Sequence, residues 1–344
     1  MAGTVSPLPD VPSEEIEKTI EAVEFAGRKQ SPRLALVFGL IAAAWSLFQL
    51  WIASPLPFML DFGIIVDVPA RAIHLAFGLG LCFLIFPASR RLTLRPLTSA
   101  DLALALIAAG ATLYLVFAYP WIVERDGSLL VLDESGFPID AVIGGIGMVM
   151  LLEATRRALG WPLVIVASAF LVYSVFGQSM PDLISHKGVS VTRLIGYHWF
   201  GGEAIFGIPI DVSVSFVFLF VLFGAMLERA GAGRYFLDLS FAMVGRYRGG
   251  PAKAAILASG MTGLISGSSI ANVVTTGTFT IPVMRRIGIP AVKAGAIEVA
   301  ASVNGQIMPP IMGAAAFVIA EFLGITYFDV VKAAFLPAFI AYLA

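Results

Sequence analysis

The stretch SGSSIANVVTTGTFTIPVM, residues 266–284, decides how this chain is read. It is the second half of a segment, 252–283, that is apolar enough for a membrane. Gly260, Gly263, Gly267 and Gly277 interrupt that segment, and Ser266, Ser268, Ser269, Asn272, Thr275, Thr276, Thr278 and Thr280 are scattered through it. Basic residues flank both ends, with Arg246, Arg248 and Lys253 before it and Arg285 and Arg286 after it. Lys and Arg collect on the cytoplasmic side of membrane proteins, so a single crossing would strand one cluster outside. A helical hairpin that enters from the cytoplasm, turns at 266–272 and returns keeps both clusters inside. Glycine supplies the unusual backbone angles such a turn needs, and short hydroxyl and amide side chains satisfy its exposed backbone groups. Irregular backbone at membrane depth survives only when buried in protein or lining a wet cavity. The hairpin tip is therefore a packed turn or a binding site.

The next apolar segment, 291–323, is broken by NGQIMPPIMG at 304–313. Pro309 and Pro310 lack a backbone N–H, and their rings clash with the preceding helical turn. Carbonyls near 303–307 are expected to lose their helical donors. With the side chains of Asn304 and Gln306, those oxygens are the hard neutral ligands that suit a sodium ion. The half-helix after the break offers a positive N-terminus to an anion. A proline kink repaired by neighbouring helices is the alternative; the adjacent hairpin favours a site. Glu298, in mid-segment, is an intramembrane carboxylate and so a functional candidate. Pairing with a hairpin hydroxyl or with Lys293 for packing is equally open.

Working outward, the chain has 344 residues, 58% of them hydrophobic and 13% charged, with a mean hydropathy of +0.90. Soluble domains carry about 25% charged residues, so an ordinary soluble enzyme is excluded. The net charge is −1 with no basic stripe, which excludes nucleic acid as a partner. The single cysteine, Cys82, rules out a disulfide framework. His74, His186 and His198 are scattered without metal-ligand spacing. No GxxxxGK[ST] loop is present, so no ATP site is expected.

Apolar runs are expected to form helices at 34–53, 70–87, 101–121, 139–155, 161–177 and 209–228. Basic residues recur after alternate runs, while the loops at 54–69 and 122–140 are acidic, which places the N-terminus in the cytoplasm. Ser13 is expected to cap a short amphipathic helix in the polar N-terminal segment. Glu153, Arg156 and Arg157 have the spacing of a surface ion-pair set. Tyr197, Trp199 and Phe200 are expected to anchor at the membrane surface. The stretch 235–248 is expected to be an amphipathic helix lying along the cytoplasmic face.

The runs FLFVLFGAMLERAGAGRYFLDL (218–239), GGPAKAA (249–255), SGSSIANVVTTGTFTIPVM (266–284), NGQIMPPIMG (304–313) and AAAFVIAEFLGI (314–325) resemble the membrane permease of tripartite ATP-independent periplasmic (TRAP) transporters. The likeness covers residues 140–344 densely and is closest to the branch in which the small four-helix subunit is fused ahead of the large one. It implies a sodium-driven importer of small organic anions, fed by a periplasmic substrate-binding protein of the TAXI type. It also implies inverted repeats, each with a re-entrant hairpin and a broken helix, and an elevator-like movement. Ser266, Gly267, Ser268, Ser269 and Asn272 match the family's first hairpin tip; Asn304, Gly305, Gln306, Pro309 and Pro310 match its helix break. The implied coupling ion is Na+, with no ATP and no organic cofactor. Fused chains of the family are longer, and this one ends in an apolar run at 330–344 without a second hairpin, so a fragment is expected.

The fold expected is an all-α polytopic membrane protein of the inner membrane. Residues 1–32 form a cytoplasmic polar segment, 33–158 a small-subunit-like unit, and 159–344 the first half of a large-permease-like domain. That half holds the arm helix 235–248, the hairpin 252–283 and the broken helix 291–323. Two rival functions are a binding-protein-independent sodium–anion elevator carrier and an intramembrane hydrolase using a serine at 266–269. The hydrolase would need a base within hydrogen-bond reach, and all three histidines are distant in the chain.

Overall fold

A computed structural model of the protein describes residues 27–28, 31–89, 96–124, 131–132, 137–247, 249–266, 269–309 and 312–343. The expected N-terminal helix capped by Ser13 lies outside these residues. The described chain is helical throughout apart from a two-residue antiparallel ribbon that pairs Val131 with Pro138 and Leu132 with Phe137. Among the described residues five helices are long and apolar enough to cross a membrane: α1 (Pro32–Ala53), α3 (Asp67–Ile85), α4 (Ser99–Glu124), α6 (Trp161–Phe176, extended by a 3₁₀ turn to Ser179) and α8 (Ile208–Arg229). The protein is an all-α, multi-pass membrane protein. A short helix α2 (Leu56–Leu60) follows α1, and α5 (Ile139–Leu159) and α7 (Val191–Ile195) complete the series before α8. Although α5 is 21 residues long, it carries Asp140, Glu153, Arg156 and Arg157 and is not among the five.

The chain divides into two compact units. The described part of the first comprises 27–222 and 317–326. Helix α4 shows how sequence shapes it. Ala105, Ala108, Ala111, Leu115, Ala118 and Ile122 recur every three or four residues and are buried, while Leu106 and Phe117 on the other face are 66% and 73% exposed. An apolar outer face is what a helix in lipid requires, because hydrocarbon is its solvent there. Small residues on the inner face let α3 approach closely.

Trp199 and Phe200, expected as surface anchors, are core residues; Trp199 is fully buried and Phe200 is 5% exposed, whereas Tyr197 is 54% exposed. The reason lies in α5. Gly144 and Gly147 open a slot that takes Ile195, Trp199 and Phe200, and a side chain at Gly147 would strike the Trp199 ring. Phe206 closes the slot edge-on, 5.4 Å from Trp199.

The charged set on α5 also differs from expectation. Glu153 does bind Arg156 and Arg157, at 2.7 and 2.8 Å, but the Arg157 side chain is only 3% exposed. Arg157 reaches Asp101 of α4 at 2.8 Å, and Asp101 also holds Arg28 at 2.6 Å. It is a buried network tying three chain segments, with the Arg157 guanidinium stacked 4.9 Å over Phe83. Elsewhere in this unit His74 of α3 accepts at Nδ1 from Trp45 Nε1 and Gln49 Nε2 and pairs through Nε2 with Ser213 Oγ, and Ser213 lies in a π turn of α8.

The described part of the second unit comprises 223–316 and 327–343. Its elements are α9 (Ala232–Val244), α10 (Gly250–Ser266), α11 (Ser269–Arg286), α12 (Ala291–Gly305), the start of α13 (Ala314–Leu323), and α14 (Tyr327–Leu343). Helices α10 and α11 form an antiparallel hairpin: Ser259 and Gly263 face Thr276 and Asn272 across it. Helices α12 and α13 are separate, with the break at Gln306–Gly313 between them.

Candidate functional site

Polar residues on the hairpin repeat every fourth position. Asn272, Thr276 and Thr280 lie on one stripe of α11, and all three are buried. A four-residue spacing keeps side chains on one helical face. That stripe, together with Ser259 of α10, meets Glu298 and Ser302 of α12, both wholly buried. Ser259 Oγ donates to Glu298 Oε1 at 2.7 Å. Thr276 Oγ1 lies 2.5 Å from the same oxygen, Ser302 Oγ 3.2 Å from it, and Thr280 Oγ1 2.5 Å from Oε2. Asn272 Nδ2 donates to the Ser259 carbonyl at 2.8 Å, while its Oδ1 is buried with no hydrogen-bond partner among the described residues. Of the two pairings open to Glu298, the structure shows the hairpin hydroxyls; Lys293 is exposed.

One layer along, the helices touch backbone to backbone. A β-carbon on Gly263 would stand 3.0 Å from the Gly305 Cα and 3.2 Å from Asn272 Nδ2. A β-carbon on Gly305 would stand 2.8 Å from the Gly263 Cα. A side chain at Gly305 would have to move the Gly263 backbone, and one at Gly263 would press its neighbours back, so this contact sets the start of the helix break against the hairpin. Asn272 and Gly305 are thus brought together across Gly263. Gln306 caps α12, and its carbonyl accepts from Gly313 N at 2.6 Å, closing the loop on itself. Asn304 Nδ2 points instead to the Ala341 carbonyl of α14, at 3.4 Å. Ser269 begins α11 and is half-buried. Pro309 is half-buried in the loop. Gly267, Ser268 and Pro310 lie outside the described residues, as does the side chain of Ser266.

One expectation is corrected here. The carbonyls of Val303, Asn304 and Gly305 do keep donors, from Gln306, Ile307 and Met308 at 3.1, 3.1 and 3.3 Å. The chain tightens into a three-residue turn before the prolines, so bonds to residue i+3 replace those lost to i+4. Met312 then takes a left-handed φ of 58° as the chain swings into α13. Sequence reasoning singled out Glu298 and a hairpin hydroxyl as one of two pairings open to it, but did not name Ser259 or Ser302; the spacing of 272, 276 and 280 was the available signal. Among the described residues no cluster of His, Cys, Asp and Glu has the makings of a multidentate metal centre.

Residues 146–344 match the profile of a family described as "Tripartite ATP-independent periplasmic transporter, DctM component". The chain is 38% identical over 91 residues to the C4-dicarboxylate TRAP transporter large permease protein DctM of Pseudomonas aeruginosa, covering 26% of this chain and 21% of that protein. It is 26% identical over 174 residues to the uncharacterized protein YgiK of Salmonella typhimurium, covering 51% of this chain and 35% of that one. With the 2,3-diketo-L-gulonate TRAP transporter large permease protein YiaN of Escherichia coli it shares 28% identity over 91 residues, 26% of this chain and 21% of the relative. The chain therefore spans between 21% and 35% of the length of these relatives. No solved structure matches it. The matched region holds the hairpin, the helix break and the Glu298 cluster, and by that match the chain belongs to the DctM-component family of TRAP transporter permeases.

Proposed function

We propose that the protein is the membrane permease of a sodium-coupled secondary transporter importing small carboxylates handed over by a periplasmic substrate-binding protein of the TAXI type. It lies in the bacterial inner membrane with its N-terminus in the cytoplasm. Residues 33–158 serve as a fused small subunit and 159–344 as the first half of the large one. The hairpin 252–283 is re-entrant, and the amphipathic helix Ala232–Val244 is the arm joining it to the frame. Sodium binds among neutral oxygens of the tip (Ser266, Gly267, Ser268, Ser269, Asn272) and the break (Asn304, Gly305, Gln306). The anion then contacts the polar backbone that sodium organises, near Pro309 and Pro310 and the positive N-terminal end of α13. The relatives named for C4-dicarboxylates and for 2,3-diketo-L-gulonate favour a carboxylate as the cargo.

The observation that carries this reading is the approach of Gly263 to Gly305, which sets Asn272 beside the start of the break. The full-length gene product, reconstituted in liposomes with its purified binding protein, tests it. Uptake of the cargo carboxylate driven by an inward sodium gradient, and abolished by Ser268→Ala or Gln306→Ala, is the expected result. Uptake that needs no binding protein, or that both variants leave unchanged, overturns it.

A further inference from the structure

Glu298 has no part in the sodium and substrate contacts assigned above, yet its surroundings are specific. It is wholly buried in the middle of α12, and among the described residues no cation is bonded to it. Charged groups on the elements of this unit point away: Arg234 and Asp238 of α9, Lys253 of α10, Arg285 and Arg286 of α11, Lys293 of α12, and Asp329 and Lys332 of α14 are all exposed. The titratable neighbour on this side is Tyr342 of α14, whose hydroxyl donates to the Ala301 carbonyl at 2.7 Å. A buried carboxylate with only neutral partners carries a desolvation cost, which a proton or a cation removes.

The hydroxyl geometry favours a proton. Each hydroxyl has one hydrogen, and all four have two places to put it, Ser302 Oγ choosing between Oε1 at 3.2 Å and Ser259 Oγ at 2.9 Å. Thr276 Oγ1 lies 2.5 Å from Glu298 Oε1 and 2.7 Å from the Asn272 carbonyl. Thr280 Oγ1 lies 2.5 Å from Oε2 and 3.0 Å from the Thr276 carbonyl. Ser259 Oγ lies 2.7 Å from Oε1 and 2.9 Å from Ser302 Oγ. When the carboxyl is charged, these hydrogens point at it. When it is neutral, the threonine hydrogens swing to the carbonyls four residues back, and the acid O–H donates to a threonine oxygen. Both states are fully bonded, and only hydrogens rotate between them.

We propose that Glu298 is a reversible proton-binding site of this permease, distinct from the hairpin-tip sodium site. The step is simple: an O–H bond of a hydronium ion breaks, its proton joins a carboxylate oxygen to give the acid, and a water molecule is left. A carboxylate inside a membrane helix bundle, solvated by hydroxyls alone, suits a proton relay.

Infrared difference spectroscopy on the reconstituted full-length protein tests this without any transport assay, so its outcome is separate from that of the sodium reading. Raising the pH at constant sodium is expected to remove a protonated-carboxyl stretch that shifts in deuterated water and is missing in Glu298→Gln. In the double variant Thr276→Val, Thr280→Val the band is expected to remain but to move in frequency, because two of the hydroxyls bonded to the carboxyl are gone. If Glu298→Gln leaves every such band in place, the proposal fails. It also fails if the band responds to sodium at constant pH but not to pH, since the cage then holds sodium.

Discussion

Gly263 and Gly305, 42 positions apart by subtraction of their numbers, pack so closely that a β-carbon on either would lie within 3.0 Å of the other's Cα. Two helices reach such proximity only where both lack side chains. This contact joins the hairpin to the helix break and places Asn272 and Ser302 at its edges.

Enlarging either glycine should therefore push the two elements apart. Gly305→Ala is expected to destabilise the unit by about 1–3 kcal/mol, and Gly305→Val by more, as overpacking does in tight cores. Thermal unfolding in detergent checks the order: wild type above alanine above valine.

Removing the Glu298 side chain leaves four buried hydroxyls without their shared partner. Glu298→Ala should cost about 1–3 kcal/mol for each hydroxyl that finds no substitute, with the carbonyls four residues back limiting the loss at Thr276 and Thr280. Glu298→Gln, which keeps the shape and an acceptor oxygen, is expected to unfold within about 1.5 kcal/mol of wild type. The comparison of the two melting curves reads out the difference.

Much of this arrangement was legible beforehand. Glycine and proline marked both interruptions, but the turn expected at 266–272 is shorter, since α11 begins at Ser269 and already holds Asn272, while α12 ends at Gly305, inside the expected break. The i, i+4 stripe of Asn272, Thr276 and Thr280 was visible as spacing. Its pairing with Glu298 was only one of two left open, because that contact joins helices whose relation only packing decides. The fate of Trp199 was hidden for a similar reason: an aromatic cluster has the same composition at a membrane surface and in a slot between glycines. The break at 304–306 was misread in one respect, since proline removes i+4 donors but a tighter turn supplies i+3 donors in their place.

Asp101 is a second point where charge is buried, here between Arg28 and Arg157. Asp101→Asn takes the counter-charge from Arg28 and leaves Arg157 with Glu153 alone, and should cost about 3–5 kcal/mol, the usual penalty for breaking a buried pair. Arg156→Ala removes a more exposed partner of Glu153 and should cost under about 1 kcal/mol. Expression yield and thermal midpoint of the two variants should separate clearly.

Trp199 is expected to act as a core residue. Trp199→Ala should destabilise the first unit by about 3–5 kcal/mol, as truncation of a buried aromatic does. Trp199→Phe should recover most of that loss, whereas an anchoring residue at the lipid surface would tolerate either change with little effect on the melting temperature.

The account depends most on the hairpin re-entering from the cytoplasm, with Lys253 and Arg286 emerging on the same side. Single cysteines at these two positions, in an otherwise cysteine-free full-length protein, can be labelled with a membrane-impermeant maleimide. Both are predicted to react in inside-out vesicles and to be protected in intact spheroplasts. Labelling of Arg286→Cys from the periplasmic side, with Lys253→Cys still cytoplasmic, would show a single crossing and contradict the account.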